Sequence, residues 1–139
     1  KERVPLSGSP ASEIARILRN RGVEVAIPRE VKGRSGLVHR FTMSVKADGR
    51  EFLVEVFHDR DAVTEDRALL LVAKVMDTQL DNVVLVAIPK ASEKAKALAR
   101  SYKIATIEAA DPKEAAYKIL AQVIARRIVT GLKAGVRNG

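Results

Sequence analysis

Glu55 is the residue of this chain whose surroundings most suggest chemistry. It lies in the run Phe52-Leu-Val-Glu-Val-Phe57, where apolar residues precede and follow it. A carboxylate in such a strand is partly removed from water, so it needs a cationic or hydrogen-bonding partner, or a functional role. Two interpretations fit this pattern: a metal ligand, and a solvent-facing or arginine-paired strand residue.

Other residues that could bind a cation or attack a substrate are few. Glu13 lies in the first turn of a predicted helix, where a negative charge also suits the helix dipole. One acidic cluster has a spacing that fits no calcium loop and is better explained as a solvated helix start: Asp59, Asp61, Glu65 and Asp66. The chain has no cysteine and 2 histidines, which excludes thiolate chemistry and disfavours a histidine-rich metal site. It also lacks G-x-G-x-x-G, Walker-type and G-x-S-x-G motifs.

A basic excess is the strongest compositional signal. The net charge of +8 and the pI near 10.0 favour an anionic partner, either nucleic acid or an acidic protein, although ion-pair networks of a thermophilic protein also use many charged residues. Phosphate contacts of this kind would be independent of sequence and sensitive to salt. The predicted nucleic-acid-binding residues are Arg16, Arg19, Arg29, Lys32, Arg34 and Arg40.

Composition also bounds the architecture. With 139 residues, 47% of them hydrophobic and 30% charged, the chain predicts a single domain over residues 1–139, with frayed ends at 1–8 and 131–139. Because it begins at Lys1, we expect a longer gene product or processing. No apolar run is long enough to span a bilayer and no signal-peptide pattern is present, so we expect a cytoplasmic protein without a membrane partner.

The hairpin predicted over residues 36–57 would position Glu55. An Asp48-Gly49 pair between apolar alternations predicts a tight turn. One face of the first arm is expected to carry Leu37, His39, Phe41, Met43 and Val45. Here His39 would be a core or edge residue.

Patterns on either side of the hairpin predict the rest of the fold. Helices are expected at 10–20, 62–77, 91–102 and 112–130, strands at 23–27, 82–88 and 104–107, and a basic loop at 29–36. The order α-β-β-β-α-β-α-β-α predicts an α/β fold with a mixed β-sheet flanked by helices on both faces.

This element order, with an acid in the first helix and another in the third strand, resembles the restriction-endonuclease-like fold of the PD-(D/E)xK superfamily over roughly Ser9 to Ile107. The resemblance implies an αβββαβ core followed here by a C-terminal helix. It also implies a divalent cation such as Mg²⁺, bound by an acid on the second strand and by the acid of an acid-x-Lys triplet on the third. Glu13 and Glu55 match that pattern, whereas Thr42 and Phe57 stand at the second-strand acid and the lysine. Lys46 or Lys74 could replace the lysine from another position.

A second resemblance concerns the partner. The hairpin at 36–57 and the strand-proline unit Val83-Val-Leu-Val-Ala-Ile-Pro89 are similar to the archaeal TBP-interacting proteins. Their endonuclease-like domain has lost its nuclease residues and binds a transcription factor.

We therefore expect a catalytically inactive endonuclease-like domain, with Glu13 and Glu55 as remnants of the site and no cofactor, that binds nucleic acid or an acidic transcription or DNA-processing protein. One alternative is an active Mg²⁺-dependent nuclease with a migrated lysine, in which Glu55 is a metal ligand. Another is an oligomerisation module that forms a homodimer through its last helix.

Overall fold

The computed structural model describes residues 9–125, which form an α/β fold with a five-stranded mixed sheet and a separate two-stranded sheet. The helices are α1 Pro10–Asn20, α2 Glu65–Thr78, α3 Glu93–Ser101 and α4 Pro112–Ile119, which continues as a π-helical segment over Leu120–Ala125. The strands are β1 Glu24–Ala26, β2 Arg29–Lys32, β3 Val38–Phe41, β4 Met43–Ala47, β5 Arg50–His58, β6 Val83–Ile88 and β7 Ala105–Glu108.

The sheet order confirms the predicted fold class. The five-stranded sheet runs β1-β4-β5-β6-β7, with β1, β4 and β5 antiparallel and β5, β6 and β7 parallel. The antiparallel strands β1, β4 and β5 follow α1 and precede α2 and the parallel β6, which is the element order that the resemblance to the restriction-endonuclease-like fold implies, with the β2–β3 hairpin inserted. All six residues of β6 are buried, as expected of a central strand covered on both faces.

Polar side chains cap the starts of three helices. The Ser9 and Ser92 hydroxyls accept hydrogen bonds from the backbone N–H groups of Ser12 and Ala95, and the Asp111 carboxylate accepts one from Glu114. Proline occupies the first turn of both α1 and α4, where its missing N–H costs no hydrogen bond.

Two hydrophobic layers cover the two faces of the sheet. On one face Met43, Val45 and Val54 pack among residues of α1 and α4. On the other, Leu53, Phe57 and Leu85 pack among residues of α2 and α3. Because Glu55 alternates with Leu53 and Phe57 along β5, it faces the α2 side.

The first arm of the hairpin is not one continuous strand, so the face predicted for it is wrong in part. Thr42 is a bend between β3 and β4, and Phe41 packs on the α2 side whereas Met43 packs on the α1 side. The cause is a change of pairing partner: β4 pairs with β1 and β5, but β3 leaves the sheet and pairs with β2. Residues 29–32, predicted as part of a loop, form β2.

Some predictions concern residues that the structure does not describe. The frayed ends at 1–8 and 131–139 and the extension of the last helix to Thr130 lie outside residues 9–125. Within the described part of the chain, no helix has both the length and the apolar character needed to cross a membrane.

Candidate functional site

Glu55 is held at the junction of β4, β5 and α2. Its side chain is 13% exposed. The carboxylate accepts a hydrogen bond from the Thr42 backbone N–H at 3.0 Å through Oε1 and lies 3.3 Å from the Lys74 ammonium through Oε2. Both oxygens of this half-buried carboxylate therefore have partners, one of them a full positive charge.

Lys74 supplies that charge from the face of α2 that looks toward the sheet. Its ammonium also donates to the Arg40 carbonyl oxygen and lies 5.4 Å from the centre of the Phe41 ring. Through these contacts the ammonium bridges α2, β3 and β5. The side chain is 23% exposed, so the site is mostly withdrawn from water. Of the two lysines considered from the sequence, the structure brings Lys74 to Glu55. Lys46 pairs in register with Glu51 on the neighbouring strand.

The bend at Thr42 has its own hydrogen bond. The Thr42 hydroxyl accepts from the Val56 backbone N–H at 3.0 Å, while the Thr42 N–H donates to Glu55. These two contacts replace ladder hydrogen bonds at the point where β3 turns away from β4. The threonine at the position of the second-strand acid thus has a structural contact of its own.

Phe57, at the position of the lysine in the triplet, also has a cation beside it. The Arg67 guanidinium of α2 lies 4.5 Å from the centre of the Phe57 ring and forms an ion pair with Asp59 at 2.9 Å. A guanidinium stacked on an aromatic face and held by a carboxylate stabilises the start of α2. It does not provide an amine for proton transfer, because arginine stays charged.

The side chains around Glu55 do not fit a divalent cation. Mg²⁺ prefers several oxygen ligands that include carboxylates, and the second-strand position offers a threonine hydroxyl already engaged with Val56. The Lys74 ammonium would repel a second cation at the same carboxylate. In residues 9–125, no group of three or more histidine, aspartate or glutamate side chains is arranged to hold a metal ion.

Glu13 is not brought to Glu55. Its neighbours on α1, Ile14 and Ile17, pack into the layer on the α1 side of the sheet, whereas Glu55 faces α2. Glu13 instead lines a groove between α1 and α4. The two acids that match the superfamily pattern are therefore separated by the sheet.

A second polar cluster, missed from the sequence, joins α2 to the connection between β2 and β3. Asp77 Oδ1 accepts from the Ser35 backbone N–H at 2.9 Å, and Oδ2 lies 2.6 Å from both the Ser35 hydroxyl and His39 Nε2. The pKa of Asp77 is lowered to about 2, most strongly by the hydrogen bond from the Ser35 hydroxyl, then by the one from His39 and by the one from the Ser35 backbone N–H. An ionised Asp77 only accepts, so His39 Nε2 carries the proton.

One feature of the sequence does point to this cluster. Asp77 lies in the last turn of α2, where a negative charge is disfavoured by the helix dipole. Such an acid indicates a specific partner. Gly33 completes the contact, because a Cβ atom there would lie 1.9 Å from Asp77 Oδ2.

The six predicted nucleic-acid-binding residues do not form one surface. Arg16 and Arg19 lie on α1, and the other four lie on the β2–β3 hairpin. Three of the six are engaged: Arg19 donates to the Val25 carbonyl at 2.7 Å, Arg29 pairs with Glu51 at 2.9 Å, and Arg40 pairs with Glu30 at 3.0 Å. Exposed cations with no ion pair to the described residues remain at Arg16, Lys32 and Arg34.

Arg16 belongs to a basic groove between α1 and α4, which we call the α1–α4 groove. Its volume is about 520 Å³, and it is lined by Glu13, Arg16, Ile17, Asn20, Arg21, Lys113 and Tyr117. The Arg21 guanidinium lies 5.1 Å from the centre of the Tyr117 ring and donates to its hydroxyl at 3.1 Å. Three cations against one carboxylate make this concave surface suited to an anionic ligand.

Comparison with known proteins supports the fold. The chain matches no protein-family model and no curated protein sequence. Its structure is similar to a crystal structure of the protein of unknown function AF1548, with a TM-score of 0.60 and 20% identity, over 69% of this chain and 54% of that chain. At that identity the likeness shows a shared fold.

A more distant likeness is to EndoMS in a complex with double-stranded DNA. The TM-score is 0.48 and the identity 19%, over 80% of this chain and 48% of that chain. This similarity is too distant to support a conclusion about the chain. In both comparisons the chain spans about half the length of its structural neighbour.

Proposed function

We propose that this chain is a catalytically inactive endonuclease-like domain that binds nucleic acid. The observation that carries the proposal is the pairing of Glu55 with Lys74 and with the Thr42 amide. In a metal-dependent nuclease that carboxylate would bind a cation together with a second acid. Here an ammonium of the chain itself neutralises it.

The absence of cleavage follows from charge and ligand number. Hydrolysis of a phosphodiester by this superfamily needs a metal ion to generate the nucleophile and to stabilise the developing charge. With Thr42 at the position of the second acid and Glu13 on the other face of the sheet, Glu55 has no partner carboxylate from the expected positions. The fold is retained, but the set of oxygen ligands that would hold a metal ion is not.

Nucleic acid is the partner that the remaining charges favour. The α1–α4 groove presents Arg16 and Lys113 without ion pairs to the described residues, beside Arg21 on the Tyr117 ring. The chain that follows α4 adds four cations and no acid: Arg126, Arg127, Lys133 and Arg137. Half of the net charge of +8 thus resides in residues 126–139, next in sequence to one wall of the groove.

We expect duplex DNA to bind with an affinity that falls steeply with salt. Replacing Arg16 and Lys113 together by alanine should weaken binding and should reduce the slope of log K against log salt by about 2, since each lost phosphate contact removes about one unit. Fluorescence anisotropy of a labelled duplex between low and physiological salt measures both quantities.

A charge-matched control lies on the opposite side of the sheet. Lys94 and Arg100 of α3 are exposed, and replacing both by alanine lowers the net charge by the same amount. Binding should survive this change nearly intact. If both double variants lost the same affinity for DNA, binding would depend on net charge alone, which would contradict a binding site in the α1–α4 groove. Failure to bind DNA even at low salt would contradict the nucleic-acid proposal and favour an acidic protein as the partner.

One observation favours a second function, an active nuclease. The Lys74 ammonium lies 3.3 Å from Glu55, as a migrated catalytic lysine would. The two functions differ in one outcome, namely DNA cleavage that depends on both a divalent cation and Glu55.

A further inference from the structure

Most of the exposed large hydrophobic side chains of the described residues lie on α2 and at the neighbouring end of the β2–β3 hairpin. Seven large hydrophobic side chains in residues 9–125 are exposed, and five of them belong to these two elements. They are 53% to 64% exposed: Leu37, Val38, Leu69, Leu70 and Met76. Scattered single apolar residues need no explanation, but a contiguous group on one helix marks an interaction surface.

The α2 members form a helical stripe. Leu69, Ala73 and Met76 recur at i, i+4 and i+7, with Leu70 beside them. We call these four residues the α2 stripe. The opposite side of the same helix is buried against the sheet and α3, through Ala68, Leu71, Val72 and Val75. Helix α2 is therefore apolar on two sides, and only one side is covered within residues 9–125.

Exposed acids lie at one end of the α2 stripe, and exposed cations of the β2–β3 hairpin lie at the other, beside Asp77, whose charge is engaged by His39 and Ser35. Glu65 and Asp66 are exposed in the first turn of α2. The hairpin tip, residues 32–38, lies at the other end, where the Arg34 backbone N–H donates to the Asp77 carbonyl at 2.8 Å. The tip carries the exposed Lys32 and Arg34, which have no ion-pair partner among the described residues. At about 1.5 Å per residue, Glu65 and Asp77 are roughly 18 Å apart along the helix.

This arrangement is complementary to itself. If two copies of α2 pack antiparallel about a two-fold axis near Ala73, the acidic start of each helix meets the basic hairpin tip of the other. The apolar stripes cover one another between them, and the small Ala73 side chain allows the helices to approach closely. A two-fold interface requires this kind of self-complementary patch.

We propose that the α2 stripe and the hairpin tip form a homodimer interface in which two α2 helices pack antiparallel. The interface uses a different surface from the last helix, which the sequence suggested for a dimer. It also leaves the α1–α4 groove free, because that groove lies on the other side of the sheet. The inference does not depend on the proposed nucleic-acid binding.

The first test is the mass of the full 139-residue chain in solution. Sedimentation equilibrium should show a monomer–dimer equilibrium, and Leu70→Glu should weaken the dimer by roughly tenfold or more because a charge would be buried in place of an apolar group. Tyr102→Glu, at an exposed aromatic residue after α3, is the control and should leave the equilibrium unchanged. A monomer at every concentration, or a dimer indifferent to Leu70→Glu, would overturn the proposal.

The second test uses charge reversal and controls for misfolding. One variant carries Lys32→Glu and Arg34→Glu, so that its hairpin tip and its helix start are both acidic. The other carries Glu65→Lys and Asp66→Lys, so that both are basic. Each variant alone should be monomeric, and an equimolar mixture should form heterodimers, because both contacts are then between opposite charges. A mixture that stays monomeric, with both variants folded by circular dichroism, would contradict the antiparallel arrangement.

Discussion

Replacing Lys74 by methionine should destabilise the protein by about 2 kcal/mol, which is roughly 8 °C in Tm for a domain of this size. The change keeps most of the volume but leaves the Glu55 carboxylate with the Thr42 amide as its remaining described partner. It also leaves the Arg40 carbonyl without its ammonium donor. Breaking a fully buried ion pair costs about 3–5 kcal/mol, and the partial exposure of both side chains lowers the expected value. Urea unfolding measures the loss.

The contribution of the Glu55–Lys74 pair can be compared with that of a double variant and with that of a more exposed ion pair. In Lys74→Met with Glu55→Gln, the neutral amide can still accept from Thr42, so much of the stability should return and the two changes should be strongly non-additive. Lys96→Met is the control, because Lys96 pairs at 3.0 Å with Glu93 and at 3.5 Å with Glu108, whose side chains are 89% and 36% exposed and so stay solvated without the lysine. It should cost well under 1 kcal/mol. If Lys74→Met left stability unchanged or raised it, the ion pair would not stabilise the fold and this explanation of Glu55 would be wrong.

Gly33→Ala should detach the β2–β3 hairpin from α2. The new Cβ would lie 1.9 Å from Asp77 Oδ2 and 2.4 Å from its Cγ, so the carboxylate must leave its position. It then loses the hydrogen bonds from Ser35 and His39 at once, which makes the effect larger than that of Ser35→Ala. A lower urea midpoint and faster amide exchange in residues 29–41 are the expected results.

The clash can be separated from other effects of the methyl group. In an Asp77→Ala background the obstructing carboxylate is absent, so adding Gly33→Ala should cost little or slightly stabilise the chain, since alanine restricts the unfolded state. Gly33→Ala should therefore lower the free energy of unfolding more in the wild-type chain than in the Asp77→Ala background. Equal effects in both backgrounds would show that the methyl group acts elsewhere.

Much of the fold was predictable because its strongest signals are local. The continuous apolar run at Val83–Ile88 indicates a strand covered on both faces, and the Ser9-Pro10 and Asp111-Pro112 pairs mark helix starts. The break at Thr42 was not predictable from alternation. Alternation of apolar and polar residues is the same whether one strand continues or two strands with different partners meet at a bend.

The sequence identified the residues of the candidate site but could not show which of them contact one another. Glu55 follows from its apolar neighbours, yet Lys74 is 19 residues away on another element, and its contact depends on how α2 lies on the sheet. The same limit applies to Glu13, which matches the superfamily pattern but faces the other layer. For Asp77 a local signal existed, an acid in the last turn of a helix, although the partner could not be named from it.

The most direct test of the central claim is incubation of the wild-type chain and a Glu55→Ala variant with supercoiled plasmid, in Mg²⁺ and separately in Mn²⁺. The two proteins should give identical gels, with no cleavage beyond that of a protein-free control, because Glu55 is neutralised by Lys74 and lacks a second acid. Metal-dependent cleavage by the wild-type chain that disappears in Glu55→Ala would contradict the account and identify an active nuclease.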